Sequence, residues 1–169
     1  EKNIRSLIPT PMYHAGTAAG WGPCFMLGAT GIFMRKFDPE GLLSLIDKER
    51  ANWIFVAPTI LQRILALPDE VTERYDLSAM RAIICAAAPC PPQVKKDTNE
   101  LFMRQGAPGP VFGEYYGSAE TAIVTVLLPR DYAGNPERIN SVGKGRCGDL
   151  KIYMEEESRW GKAGEVGKI

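Results

Sequence analysis

A single rhythm constrains this chain more than any motif in it. Through the first two-thirds of the sequence, short apolar runs of strand length alternate with longer amphipathic runs. Residues 4–8, 29–34, 52–58, 80–85 and 110–116 read as strands, and 15–28, 38–50, 59–67 and 91–105 read as helices. Five strands separated by four helical segments predict an α/β fold, a mostly parallel sheet with flanking helices. The helix over 38–50 carries the clearest start signal, with Asp38 placed as N-cap and Pro39 at the first helical position. Leu42, Leu45 and Ile46 follow helical spacing there, and Ile60, Leu61, Ile64 and Leu65 do the same over 59–67. The 91–105 segment aligns Val94, Thr98, Leu101 and Phe102. Residues 15–28 are small and apolar, which predicts a buried helix with Pro23 near a kink or a start.

The style changes after Pro129, where Gly and Pro become frequent and helical period disappears. Residues 149–157 alternate apolar and polar side chains, and a turn region separates them from "EVGKI", the pattern of a hairpin. This divides the chain into a parallel α/β subdomain, 1–129, and the beginning of a β-rich subdomain, 130–169.

Charge and cysteine content narrow the function classes. Lys+Arg and Asp+Glu number 20 each, a formal net charge of zero, which argues against nucleic-acid and anionic-membrane partners. No apolar run approaches the ~20 residues needed to span a bilayer. There is no secretory pattern and no initiator Met, and the last residues stop inside an alternating stretch. The chain therefore reads as cut from a longer one, whose remainder is its expected partner. The four cysteines form no C-x-x-C pair, and one histidine completes no common zinc set. Reduced cysteines in a cytoplasmic protein are the expectation.

The unusual residues gather by topology. In an open parallel sheet, ligands bind outside the carboxyl ends of the strands. "PTPMYHAG" (9–16), with Tyr13 and the single histidine His14, follows the first predicted strand; "AAAPCPP" (86–92) follows the fourth; "GSAET" (117–121) follows the fifth. Each segment alone has a purely structural explanation, but their shared rim argues for a site. Two other matches fail on context. "GKGRCG" (143–148) fits G-x-G-x-x-G, but an alternating strand follows it where a helix is required. "GATG" (28–31) lacks the Lys-Ser/Thr of a phosphate loop.

In their order and spacing these segments resemble the central part of the adenylate-forming enzymes, the superfamily of acyl-CoA synthetases, luciferases and peptide-synthetase adenylation domains. "PMYHAG" resembles the family's proline–aromatic–histidine segment, "CAAAPCPP" its adenine loop, and "YYGSAET" its Tyr-Gly-x-Thr-Glu motif. "NSVGKGRCGDLKIY" and "GEVGKI" resemble the opening of its β-rich subdomain and the run beyond it. The resemblance implies an ATP-dependent ligase that activates a fatty or aromatic acid as acyl-AMP and passes it to coenzyme A. It implies that Tyr116 stacks on adenine and that the backbone of Ala86, Ala87 and Ala88 flanks the purine. Gly117, Ser118 and Ala119 then line the nucleotide, and Glu120 holds magnesium against the ATP phosphates. Tyr13, His14, Tyr115 and Gly117 fall beside the acid, with His14 and Glu120 as the catalytic pair. The sequence departs from the pattern at Ala119, where the family's threonine contacts the α-phosphate, and at Ala86, usually glycine. The family's phosphate loop would lie before Glu1, and its ribose-binding aspartate and mobile-domain lysine after Ile169, so no turnover is expected from the chain alone. An amino-acid adenylation domain is the second reading, although "TPMYHAGTAAGW" carries no acid to pair a substrate ammonium. A degenerate, non-catalytic nucleotide-binding domain is the third, supported by Ala119.

Overall fold

The computed structural model describes residues 3–118, 120–146 and 148–168. Its parallel half runs β1 (Arg5–Ile8), α1 (Ala15–Leu27), β2 (Thr30–Phe33), α2 (Pro39–Glu49), β3 (Trp53–Val56), α3 (Pro58–Leu65), a one-turn α4 (Asp69–Thr72), β4 (Ala82–Cys85), α5 (Pro92–Arg104) and β5 (Phe112–Ser118). Then follow β6 (Ala122–Leu127), a one-turn α6 (Pro129–Tyr132), a 3-10 turn (Pro136–Asn140), β7 (Lys144–Gly145), β8 (Tyr153–Met154) and β9 (Arg159–Trp160). Among the described residues, seven strands form one sheet in the order β2-β1-β3-β4-β5-β6-β7. The first five pair in parallel, and β6 and β7 add on antiparallel.

All five predicted strands and four predicted helices are present, with ends shifted by a few residues. Local chemistry accounts for their limits. The Asp38 carboxylate accepts from the Gly41 amide at 2.6 Å and starts α2, and Arg50 ends it in the left-handed region at φ 50°. Pro58 occupies the first helical position of α3, where its missing N–H costs nothing.

Strand alternation sorts side chains onto two faces. Leu7, Ile54, Val56, Ile83, Cys85 and Phe112 meet Leu42, Leu43 and Ile46 of α2, Leu61 and Ile64 of α3, and Leu101 and Phe102 of α5 in one buried cluster. The opposite face carries α1, anchored where the Ser6 hydroxyl donates to the Gly20 carbonyl at 2.6 Å. A β-carbon at Gly20 would lie 3.4 Å from Ile8, so the helix backbone rests almost directly on the sheet. The expectation that α1 is buried needs correction. Phe25, Met26 and Leu27 in its last turn are 78%, 86% and 68% exposed, because no other described helix shares that face.

The end of the chain also departs from expectation. The hairpin is shorter and tighter than the alternation over 149–157 suggested, pairing Tyr153–Met154 with Arg159–Trp160 across residues 155–158. The Lys168 backbone then bridges back to Tyr153. Arg159 and Trp160, expected in a turn, thus supply a strand.

Candidate active site

The strand order reverses direction between β1 and β3: the chain leaves β1 toward β2 on one side and leaves β3 toward β4 on the other. A crevice opens outside the carboxyl ends of strands at such a point. Here it is a cavity of about 240 Å³, lined by Thr10, Pro11, His14 and Thr17 after β1 and by Phe55, Ala57, Thr59 and Ile60 of β3 and α3. Its floor is fixed by the buried Thr17, whose hydroxyl donates to the Pro11 carbonyl at 2.6 Å and lies 2.9 Å from the Thr10 hydroxyl. His14 occupies the N-cap position of α1, but its side chain caps nothing in the helix. The Tyr13 ring lies 5.7 Å from the His14 ring.

A larger, mostly apolar cavity of about 570 Å³ lies beside it, between the loop after β4 and the β5–β6 pair. Ala87, Ala88 and Pro89 form one wall, Glu114 to Gly117 another, and Thr125, Val142 and Gly143 close it. Ala87 lines both cavities. Phe55 of the smaller cavity stacks on Tyr115 of the larger at 6.0 Å between centroids, so an aromatic pair and Ala87 make the common wall. Ala87 turns the loop through the left-handed region at φ 75°, a conformation that strains any residue bearing a β-carbon. Gly143 also has positive φ, and a β-carbon there would lie 2.1 Å from the Val126 carbonyl oxygen; only glycine lets that turn lie against β6.

Beneath the larger cavity lies a charge pair that the sequence did not suggest. Lys95 of α5 and Glu114 of β5, 2% and 3% exposed, form a salt bridge. Lys95 also donates to the Ser141 carbonyl at 3.1 Å, which ties helix, strand and the 141–143 turn together. Asn99 of α5 reaches both the start of β5 and α6. Its side-chain oxygen accepts from the Val111 and Phe112 amides, both at 2.9 Å, and its amide donates to the Tyr132 hydroxyl. The available signal was an acid inside an otherwise apolar strand, which demands a buried partner.

At the rim, the β5–β6 register shifts between Tyr116 and Gly117. The turn beyond is held by Ser118 and Thr121, whose hydroxyls lie 3.0 Å apart and exchange bonds with each other's amides. Donation from the Ser118 hydroxyl, then from a backbone N–H, holds the exposed Glu120 carboxyl below the usual carboxylate range. The structure thus brings Ala87, Ala88, Tyr115, Tyr116 and Gly117 into one cavity and His14 into its neighbour. Ala86 is buried beneath them, with its amide bonded to the Val56 carbonyl. Tyr13 is 87% exposed and lines neither cavity, Ser118 and Glu120 lie in or beside the turn, and Ala119 falls outside the described residues.

The family model for AMP-binding enzymes matches residues 2–169. The chain belongs to this family. Among AMP-binding relatives, it is 31% identical over 168 residues to the medium/long-chain-fatty-acid–CoA ligase FadD8 of Mycobacterium tuberculosis, covering 99% of this chain and 28% of that protein. It is 33% identical over 141 residues to a feruloyl-CoA synthase of an Amycolatopsis species, covering 82% of this chain and 26% of that one. The solved amide bond synthetase McbA from Marinactinospora thermotolerans superposes with a TM-score of 0.81 at 27% identity, over 97% of this chain and 32% of McbA. The chain spans about a third or less of the length of each.

Proposed function

We propose that this chain forms the acid- and adenine-binding wall of an AMP-forming acyl-CoA ligase acting on a fatty or aromatic acid. The observation that carries this reading is the pair of cavities sharing Ala87 and the Phe55–Tyr115 wall at the carboxyl rim of the sheet. One is apolar and of a size for a base and an acyl chain; the other, at the strand-order reversal, carries the histidine.

The chemistry such a ligase performs explains why these groups belong together. A free carboxylate acylates poorly, because its leaving group would be oxide. Attack of a carboxylate oxygen on the α-phosphorus of ATP forms an acyl-adenylate and expels pyrophosphate; a thiol then attacks the acyl carbon and expels AMP. On this reading Tyr116 stacks on the adenine, and the Ala86–Ala88 backbone flanks it. Gly117 and Ser118 border the nucleotide. Gly117 and Tyr115 also bound the acyl group, while His14 orients the carboxylate from the neighbouring cavity. Tyr13 reaches the acid only if its exposed ring turns inward. Glu120 suits magnesium: a single carboxylate, kept ionised by Ser118 and open to solvent, matches an ion that takes one or two carboxylates and completes its shell with phosphates and water. When bound there, that ion neutralises phosphate charge that would otherwise repel both Glu120 and the incoming acid. CoA is the thiol in this scheme, and the cytoplasm the setting.

The division at residue 130 belongs to the same reading, with 130–169 leading into a β-rich subdomain and β7 returning to the main sheet.

Gly117 provides the test, because it lines the larger cavity. Octanoate exceeds acetate by six methylenes, about 5 kcal/mol of burial at ~0.8 kcal/mol each. In the complete ligase, Gly117→Trp is expected to lower kcat/KM for octanoate relative to acetate by ~10²-fold. Wild-type preference for acetate, or an unmoved ratio, would overturn the assignment of this cavity to the acyl chain.

A further inference from the structure

Stability alone does not explain a lysine at position 95. Lys95 is the fourth residue of α5, in the first turn, where the helix dipole disfavours a cation. It is also buried, so its ammonium has lost its hydration. An apolar pair of similar volume in place of Lys95 and Glu114 would avoid both penalties. An apolar side chain could not, however, hold the groups that this ammonium holds. It binds the Glu114 carboxylate, donates to the Ser141 carbonyl at 3.1 Å, and lies 5.9 Å from the centre of the Phe112 ring. Two of these contacts lead to walls of the larger cavity. Glu114 lines one wall, and Val142 and Gly143, which follow Ser141 in the chain, help to close the cavity. Lys95 is not among the lining residues. The 141–143 turn is also tethered to β6, where the Thr125 hydroxyl donates to the Val142 carbonyl at 2.7 Å. Lys95 ties the same turn beneath the cavity to β5 and α5.

We propose that Lys95 is a positioning residue for the nucleotide. Through Glu114 and Ser141 it fixes the spacing of two walls of the larger cavity, and so sets the affinity for ATP without touching it. The effect on ATP rests on the ligase reading above; the clamp on the walls does not.

The kinetic consequence follows from which part of the substrate the walls hold. Walls already at the right spacing spare the ligand the free energy of ordering them. On the ligase reading this cavity takes the base, which does not react. Its contacts are the same in the ground state and the transition state, so loss of the clamp should raise KM for ATP and leave kcat nearly unchanged.

Two measurements on the complete protein test this. Both use Lys95→Met with Glu114→Gln, which removes the ammonium, leaves no unpaired buried charge and keeps the shape of the wall. First, amide hydrogen exchange is followed without ligand. Residues 142–145 are expected to exchange at least ~10-fold faster than in the wild type, while Ile83, Ile84 and Cys85 of β4 keep their rates. Wild-type rates at 142–145, or a rise matched in β4, would overturn the clamp. Second, ATP–pyrophosphate exchange is measured with octanoate. The double variant is expected to raise KM for ATP at least ~10-fold with kcat within ~3-fold of wild type. Glu114→Gln alone, which keeps the ammonium on Ser141, is expected to raise KM less. A double variant with wild-type KM, or one that loses only kcat, would refute the positioning role. An equal rise in Glu114→Gln alone would move the effect from the lysine to the carboxylate and refute it too. Wild-type protein that shows no exchange of pyrophosphate would sink the ligase reading, while hydrogen exchange would still decide the clamp.

Discussion

Ala87 holds the most constrained backbone of the candidate site. A residue with a β-carbon in the left-handed region costs roughly 1 kcal/mol more than glycine, since glycine meets no clash there. Ala87→Gly is therefore expected to stabilise the chain by up to about 1 kcal/mol, less the extra chain entropy that glycine brings to the unfolded state. The urea midpoint measures this, and a fall in midpoint would show that the alanine methyl packs usefully at the wall it shares between cavities. The sequence placed this loop on the correct rim from its run of small residues. It did not reveal the strain, because alanine is not a residue that announces positive φ. Glu120 and His14 were legible as rim residues from topology alone. The burial of Ala86 and the exposure of Tyr13 were not, because alternation does not extend past a strand's end.

At the scale of elements, the Lys95–Glu114 pair fastens α5 to β5, and its energetics differ for one deletion and two. Removing a single partner leaves an uncompensated buried charge, which costs about 3–5 kcal/mol. Replacing both with apolar residues of similar volume is often close to neutral. Lys95→Met alone is expected to destabilise by that amount in urea unfolding, and Lys95→Met with Glu114→Leu to recover most of it. A double variant as unstable as the single would mean that the Ser141 carbonyl, orphaned in both, dominates. Helical period read α5 correctly through Val94, Thr98, Leu101 and Phe102, yet the same period left Lys95 looking solvated. Its partner lies 19 residues away on another element, beyond any local window. For a similar reason β6 and β7 were not read: a β-branched run such as residues 122–127 indicates a strand, but not which neighbour it pairs with or in which direction. The one-turn helices α4 and α6 are too short to show any period.

For the molecule as a whole, acid should act on the terminal hairpin through one carboxylate. Arg159 donates to both Glu165 oxygens at 2.7 and 2.8 Å, and the Lys162 amide donates to one of them at 2.6 Å. These bonds, Arg159 first, lower the Glu165 carboxyl to about 2. A group with a depressed folded-state pKa contributes stability above its unfolded value, and that contribution fades as pH falls through the folded one. The hairpin is therefore expected to loosen between about pH 4.5 and pH 2, followed by the indole N–H resonance of Trp160, which packs edge-on against Tyr153. Glu165→Gln should loosen it already at neutral pH and flatten the titration; an unchanged titration would assign the transition to another carboxylate.

The register shift between Tyr116 and Gly117 has one more consequence, which concerns how such chains diverge. An uninterrupted pair of strands transmits any change in length: one residue gained or lost at the turn reverses the facing of every side chain behind it. An irregularity of pairing ahead of the turn breaks that transmission. Upstream of it, Glu114 stays aimed at Lys95 and Tyr115 at Phe55, whatever the turn does. Residues 118–121 can then lengthen, shorten or exchange chemistry over evolutionary time, while the aromatic wall keeps its phase.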